Sequence, residues 1–289
     1  METERNQRVY DDEVHDHDRG LSFDMLTLMS RRRVLQLAAL GGLTTLVGCG
    51  SSSGDISAST AATASTAAAT TTAATTAAGS GDVGEIPEET GGPYPADGSN
   101  GPNVLTQSGI VRKDITTSFG SASGTAGGVP LNIDLTILDV STGGTPLAGA
   151  AVYLWHCDRE GRYSLYSEGV TDQNYLRGVQ VSGADGKLTF ASIFPGAYSG
   201  RWPHIHFEVY PSLDATTSAG SKLVTSQIAL PEDLCNSVFA TEGYEQSAQN
   251  LAGTSLQTDN VFSDGFSTQM ATASGSLSQG LTIALNVGV

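Results

Sequence analysis

The sequence predicts an all-β domain of the β-sandwich type, on three observations. Glycine is abundant, 35 of 289 residues, and apolar runs at helical spacing are scarce, which favours strands and turns over helices. One segment alternates cleanly: Leu131, Ile133, Leu135 and Ile137 are interleaved with Asn132, Asp134 and Thr136. That period of two turns one strand face to a core and the other to water. Further short apolar segments are separated by Gly and Pro turns, and many short strands so joined stack readily as two sheets.

In chain order, residues 1–49 read as an address. Residues 1–29 form an acidic leader containing His15 and His17, which precede the expected cleavage point and are given no metal role. Ser30-Arg31-Arg32-Arg33 follows, then an apolar run from Val34 to Val47. At about fourteen residues the run is too short to span a bilayer comfortably and suits a signal-peptide h-region. The arginines resemble a twin-arginine export signal, and Leu46-Val47-Gly48-Cys49 resembles the lipobox of bacterial lipoproteins. The expectation is a bacterial exported protein anchored to the membrane through lipid on Cys49, at the cell surface or on the periplasmic side. Each buried acyl methylene contributes roughly 0.8 kcal/mol to such anchoring. The alternative is a short uncleaved membrane helix with an incidental cysteine; both keep the rest of the chain outside the cytoplasm.

Residues 50–85 are expected to be a flexible linker. From Ser51 to about Gly81 they are almost entirely Ser, Thr, Ala and Gly, too poor in apolar surface to offset the entropy of ordering.

The folded domain is expected over 86–289. Val129–Val140 is the alternating strand. Thr142-Gly143-Gly144-Thr145-Pro146 is a turn. Ala150–Cys157 is apolar on both faces and so a central strand. Val179–Val181, Leu188–Ala191, His204–Tyr210, Lys222–Leu230 and Leu281–Val287 are further strand candidates. Asp185-Gly186 predicts a hairpin between Val179–Val181 and Leu188–Ala191. The polar stretch from Cys235 onward is expected to form loops over a pocket or a subunit contact.

Charge narrows the function. The 30 acidic and 14 basic residues give a formal net charge of −16, which argues against a nucleic-acid partner. No glycine cluster has the strand-to-helix context of a P-loop or dinucleotide fingerprint.

Arg201-Trp202-Pro203-His204-Ile205-His206-Phe207 carries the chemistry. Alternate strand residues point the same way, so His204 and His206 present two imidazoles to one side, as a metal site requires. Pro195-Gly196-Ala197-Tyr198 places a phenol on a tight turn just upstream, and Gly161-Arg162-Tyr163-Ser164 places another. A phenol with pKa near ~10 is a poor ligand at neutral pH unless the metal is strongly acidic. Ferric iron is such a metal, since its charge drives deprotonation. Two phenolates and a hydroxide balance Fe(III), leaving two neutral imidazoles.

Residues Pro87 to about Pro231 resemble the intradiol ring-cleavage dioxygenase family. The matching pieces include Thr90-Gly91-Gly92-Pro93-Tyr94, Ile110-Val111-Arg112-Lys113-Asp114-Ile115 and Pro146-Leu147-Ala148-Gly149-Ala150. Leu154-Trp155-His156-Cys157-Asp158, Gly161-Arg162-Tyr163-Ser164 and Leu176-Arg177-Gly178-Val179-Gln180 follow, then Pro195-Gly196-Ala197-Tyr198 and His204-Ile205-His206. The resemblance implies an immunoglobulin/prealbumin-like sandwich with long loops, and one Fe(III) per chain held by Tyr163, Tyr198, His204 and His206. Tyr166 is the rival for Tyr163, which its preceding Gly-Arg favours. Tyr153, Tyr175 and Tyr210 are expected to pack, and His156 to be no ligand. Arg201 is implied to stabilise charge on the substrate, Gln227 to lie on the oxygen-binding side, and Tyr198 to be the ligand a substrate displaces. The implied reaction cuts a small aromatic diol with O2, between its hydroxylated carbons, to a muconate-type diacid.

Two departures qualify the resemblance. Catechol-specific cytoplasmic members dimerise through a helical N-terminal segment, whereas the corresponding stretch here is the linker, so that dimer mode is not supported and the oligomeric state stays open. With Cys49 assigned to lipid, Cys157 and Cys235 either pair, which export allows, or remain two separately buried thiols. The competing readings are a lipid-anchored, non-catalytic sandwich that binds aromatics or carbohydrates, and a binuclear or copper-type site using the histidines alone. Neither explains two tyrosines at this order and spacing.

Overall fold

The computed structural model describes residues 83–289. The expected signal segment with Cys49, and nearly all of the expected linker, lie outside the described residues. Among the described residues no helix is long and apolar enough to cross a membrane.

The strands are β1 (Pro130–Asp139), β2 (Thr145–Pro146), β3 (Ala151–Trp155), β4 (Arg177–Val181), β5 (Lys187–Ile193), β6 (His204–Tyr210), β7 (Val224–Ala229), β8 (Thr272–Ser276) and β9 (Gly280–Gly288). Two α-helices lie between β7 and β8: α1 (Glu232–Phe239) and α2 (Glu245–Ala252). One sheet runs β2-β1-β9-β8, with β5 also on β1; the other runs β4-β3-β6-β7. β1 and β9 are parallel, and the other strand pairs are antiparallel. The expected β-sandwich of two packed sheets is what forms.

Alternation sorts the core. Leu131, Ile133, Leu135 and Ile137 of β1 pack in one apolar cluster with Val152 and Leu154 of β3 and Ile205, Phe207 and Val209 of β6. Burying a side chain such as Phe207 contributes about 1.5–3 kcal/mol. The opposite face of the second sheet is also covered. There Tyr153 and Trp155 of β3 and Tyr210 of β6 form a second cluster with Val104, Leu105 and Ile110 from the long segment preceding β1. All seven residues of β6 are therefore buried, and its alternation puts His204 and His206 on the loop-covered face. β3 lies between β4 and β6, the central place its two apolar faces predict.

The Asp185-Gly186 hairpin is corrected. β4 and β5 belong to different sheets, and the turn between them crosses from one to the other. Gly186 has φ +73°, and a Cβ there would come 2.5 Å from the Ile137 carbonyl oxygen. The Ile137 N–H donates to the Gly186 carbonyl at 2.8 Å. The turn is thus docked on the end of β1, so the chain leaving it pairs with β1 and not with β4.

The region after Cys235 holds more regular structure than its polarity suggests. α1 buries Cys235, Val238 and Phe239, and β8 is an exposed strand placed by its antiparallel pairing with β9. Cys157 and Cys235 are free and buried, the second of the two alternatives.

Candidate metal centre

Each phenol is carried by a turn that other parts of the chain hold. Asp158 accepts from the backbone N–H groups of Glu160 and Arg162 at 3.0 and 2.9 Å, shaping the loop that ends at Tyr163. The Tyr163 N–H donates to Ser167 Oγ at 2.9 Å. Arg177, buried beneath, donates to the Ser164 carbonyl at 2.9 Å and to Ser164 Oγ at 3.0 Å. At Gly196 a Cβ would meet the Arg159 carbonyl oxygen at 2.5 Å, so only glycine lets the Tyr198 turn lie this close. α2 clamps that turn: Ser247 Oγ accepts from the Ala197 N–H at 2.9 Å, and Asn250 Nδ2 donates to the Ala197 carbonyl at 2.8 Å.

The four expected ligands converge. Tyr163 Oη and Tyr198 Oη are 3.5 Å apart. Tyr198 Oη is 3.1 Å from His204 Nε2, which is 3.1 Å from His206 Nε2. His204 Nδ1 meets the Trp202 carbonyl at 2.5 Å. A carbonyl can only accept, so Nδ1 carries the proton and the Nε2 lone pair faces the cluster. The His206 ring stacks on Trp155, with centroids 5.0 Å apart and planes 5° apart. Its buried Nδ1 has no hydrogen-bond partner.

Electrostatics keep Tyr163, His204 and His206 neutral unless a cation is added. Burial first, then the neighbouring Tyr198 phenol, raises the Tyr163 pKa well above its ordinary value. Burial also pushes both histidines well below theirs, aided by Arg201 at His204 and by His204 and Arg201 at His206.

The donor set fits a metal ion. A metal with bonds of roughly 2.0–2.1 Å to nitrogen has ligand–ligand edges near ~3.3 Å in a tetrahedral arrangement, and the observed separations are 3.1–3.5 Å. Among the described residues no group of three or more His, Cys, Asp and Glu side chains could hold a metal. A metal ion held by His204 and His206 would find its further donors in the two phenols, hard donors suited to a strongly acidic ion.

The rival Tyr166 points elsewhere. Its hydroxyl accepts from the Ala96 N–H at 2.9 Å and donates to the Asn100 carbonyl at 3.0 Å. Tyr153 donates to the Pro95 carbonyl, Tyr210 to Glu208 and Tyr175 to Asp158. His156 binds the Cys157 carbonyl and Ser192 Oγ, apart from the cluster. Arg201 and Gln227 are brought together: Arg201 Nη2 donates to Gln227 Oε1 at 2.7 Å. Burial alone would lower the Arg201 pKa, but the Tyr198 phenol and the Asp259 carboxylate outweigh it and raise it. Asp259, the partner of Arg201 at 2.9 Å, is a residue the sequence reading missed. It stands in a polar stretch with no motif around it. Trp155, the stacking partner of His206, stood in the sequence as an apolar strand residue within a family-matching segment, with no role assigned to it.

A family model described as a dioxygenase matches residues 100–235. Chlorocatechol 1,2-dioxygenase of Rhodococcus opacus is 44% identical over 57 residues, 20% of this chain and 22% of that protein. Hydroxyquinol 1,2-dioxygenase of a Rhizobium species is 40% identical over 62 residues, 22% of this chain and 20% of that protein. These matches span about a fifth of the curated relatives. An intradiol ring-cleavage dioxygenase from Tetranychus urticae is similar over a longer span: 26% identity, 71% of this chain, 94% of that chain and a TM-score of 0.57. The sandwich is thus similar in sequence and fold to dioxygenases. More narrowly, these matches together support the intradiol ring-cleavage dioxygenase family.

Proposed function

We propose that this chain is a non-haem Fe(III) dioxygenase that opens catechol-type rings between the two hydroxylated carbons, consuming O2 and yielding muconate-type diacids. The observation that carries the reading is the convergence of two phenol oxygens and two imidazole nitrogens at 3.1–3.5 Å separations. Tyr163, Tyr198, His204 and His206 would hold one ferric ion per chain, whose Lewis acidity favours the doubly deprotonated diol and makes its ring reactive toward O2.

The chain's own groups bind, orient and move protons. Tyr163 is enclosed at 2% exposure, whereas Tyr198 is half-buried and is the more accessible of the two. Tyr198 Oη is therefore the group assigned to accept a substrate proton. Arg201, close enough to both phenols to be coupled electrostatically to their ionisation, stabilises negative charge on the bound diol. Gln227 is fixed between Arg201 and the Thr90 carbonyl, to which its Nε2 donates at 2.9 Å, and lines the side where O2 would approach. Both atoms of O2 end in the two carboxyl groups. The electrons come from the ring, so no external reductant enters.

Oxygen consumption by the iron-loaded protein with catechol, protocatechuate and hydroxyquinol tests this. Uptake with at least one diol, with formation of the matching diacid, is expected. No uptake with any of them while iron is bound would favour a non-catalytic binding module.

The same reading takes residues 86–289 as the catalytic domain, exported and held at the membrane by lipid on Cys49. In cells, Cys49→Ala should move the protein from the membrane fraction to the soluble fraction. A variant that stays in the membrane fraction would contradict the anchor.

A further inference from the structure

Arg201 is gripped from two sides. Its Nε donates to Asp259 Oδ2 at 2.9 Å, and its Nη2 donates to Gln227 Oε1 at 2.7 Å, with Asp259 Oδ1 at 3.5 Å. A guanidinium is planar, so fixing two of its nitrogens fixes the plane. It also leaves Nη1 as the nitrogen engaged by neither partner.

Asp259 is itself immobilised. Its side chain is fully buried, and both oxygens are in use. Oδ2 also accepts from the Trp202 N–H at 2.7 Å. Oδ1 accepts from the N–H groups of Val261 and Phe262 at 2.8 and 3.1 Å. Phe262 packs edge-on to His204, with ring centroids 6.5 Å apart. One carboxylate thus joins the strand entry before His204 to the C-terminal segment. Asp259 lies outside residues 100–235, the part the family model matches.

A buried cation stripped of its carboxylate is strongly disfavoured. Without Asp259, Arg201 would swing toward water or collapse onto Tyr198, and its Nη1 edge would leave its present position. We propose that Asp259 is a positioning residue of the site, supplied by the C-terminal segment, which holds the Arg201 guanidinium so that Nη1 meets the anionic oxygens of a bound aromatic diol. This rests on the dioxygenase reading above.

The test uses the full iron-loaded chain and 4-nitrocatechol, with binding followed by the change in the visible spectrum. Asp259→Asn keeps an oxygen for the Val261 and Phe262 N–H groups and removes the charge. Its ferric band without the analogue should match the parent's, because the four ligands are untouched, while its Kd for the analogue rises about tenfold or more. Arg201→Gln should weaken binding similarly. Adding Asp259→Asn to Arg201→Gln should then change Kd by less than about twofold, since coupled residues are non-additive.

Parent-like binding by Asp259→Asn, or additive effects in the double variant, would overturn the proposal. Should Asp259→Asn not fold, Asp259→Glu, which keeps the charge but displaces it, decides: weakened binding supports the proposal and parent-like binding overturns it. Failure of both variants to fold would assign Asp259 to the fold alone and overturn it as well. A parent protein that binds iron but gives no spectral response to the analogue would sink the dioxygenase reading itself, an outcome distinct from any behaviour of the variants.

Discussion

The Nε2 atoms of His204 and His206 lie 3.1 Å apart on the covered face of β6, with their rings at 80° to one another. Two imidazole lone pairs at this distance repel unless a proton or a cation lies between them. His204 spends its Nδ1 proton on the Trp202 carbonyl, which turns its lone pair toward its neighbour. This pair is where the metal reading begins.

Ferric ion should therefore stabilise the fold by mass action. At a free concentration about a hundred times Kd, a ligand of the native state alone adds about 2.7 kcal/mol. Thermal unfolding with and without iron should show the rise, together with a visible phenolate-to-iron band. His204→Ala and His206→Ala should each abolish both. A rise in Tm that His204→Ala and His206→Ala leave intact would place the ion elsewhere.

Tyr163→Phe and Tyr166→Phe separate the two neighbouring phenols. Tyr163 Oη faces Tyr198 Oη, so its loss should shift or bleach the visible band. Tyr166 Oη bridges Ala96 and Asn100, so its loss should leave the band and cost about 1 kcal/mol of stability for the missing hydrogen bonds. Denaturant titration and the visible spectrum read the two effects, and the opposite pattern would exchange the assignments.

Without metal, the protein should lose stability as pH falls below about 6.5, the ordinary histidine value. Burial holds the folded-state pKa of His156 at about 4 and those of His204 and His206 well below 6.5. The unfolded chain therefore takes up protons that the folded one refuses. The stabilisation is complete above the unfolded value and is lost as pH falls toward the folded one. Between about pH 6.5 and 5 His156 alone costs on the order of 2 kcal/mol, and His204 and His206 add in the same direction. Asp158 and Glu208, whose carboxyls burial pushes up, oppose the trend. Unfolding free energies flat from pH 7 to 5 would contradict this description.

Much of the fold was legible because alternation and burial coincide. β1 announces itself through Leu131, Ile133, Leu135 and Ile137, and β6 through a histidine pair flanked by apolar residues. β8 was hidden, since Thr272–Ser276 offers no apolar face and owes its place to pairing with β9. The Asp185-Gly186 turn was readable as a turn but not as a crossing, because what decides it is a contact with Ile137, distant in sequence. The four converging side chains were legible from residue type, order and family resemblance. Their supports were not: Ser247 and Asn250 hold the Tyr198 turn from a short polar helix, and Asp259 holds Arg201 from a segment without a motif. Such partners are joined only by the tertiary fold, so local sequence carries no trace of them.

The most direct measurement is single-turnover reaction of the iron-loaded protein with catechol under isotopically heavy dioxygen, with products read by mass spectrometry. The expected product is a muconate-type diacid carrying heavy oxygen from both atoms of O2, with the bond between the hydroxylated carbons cut. A semialdehyde from cleavage beside the diol, or an unaltered ring with iron bound, would contradict the assignment of Tyr163, Tyr198, His204 and His206 as an intradiol centre.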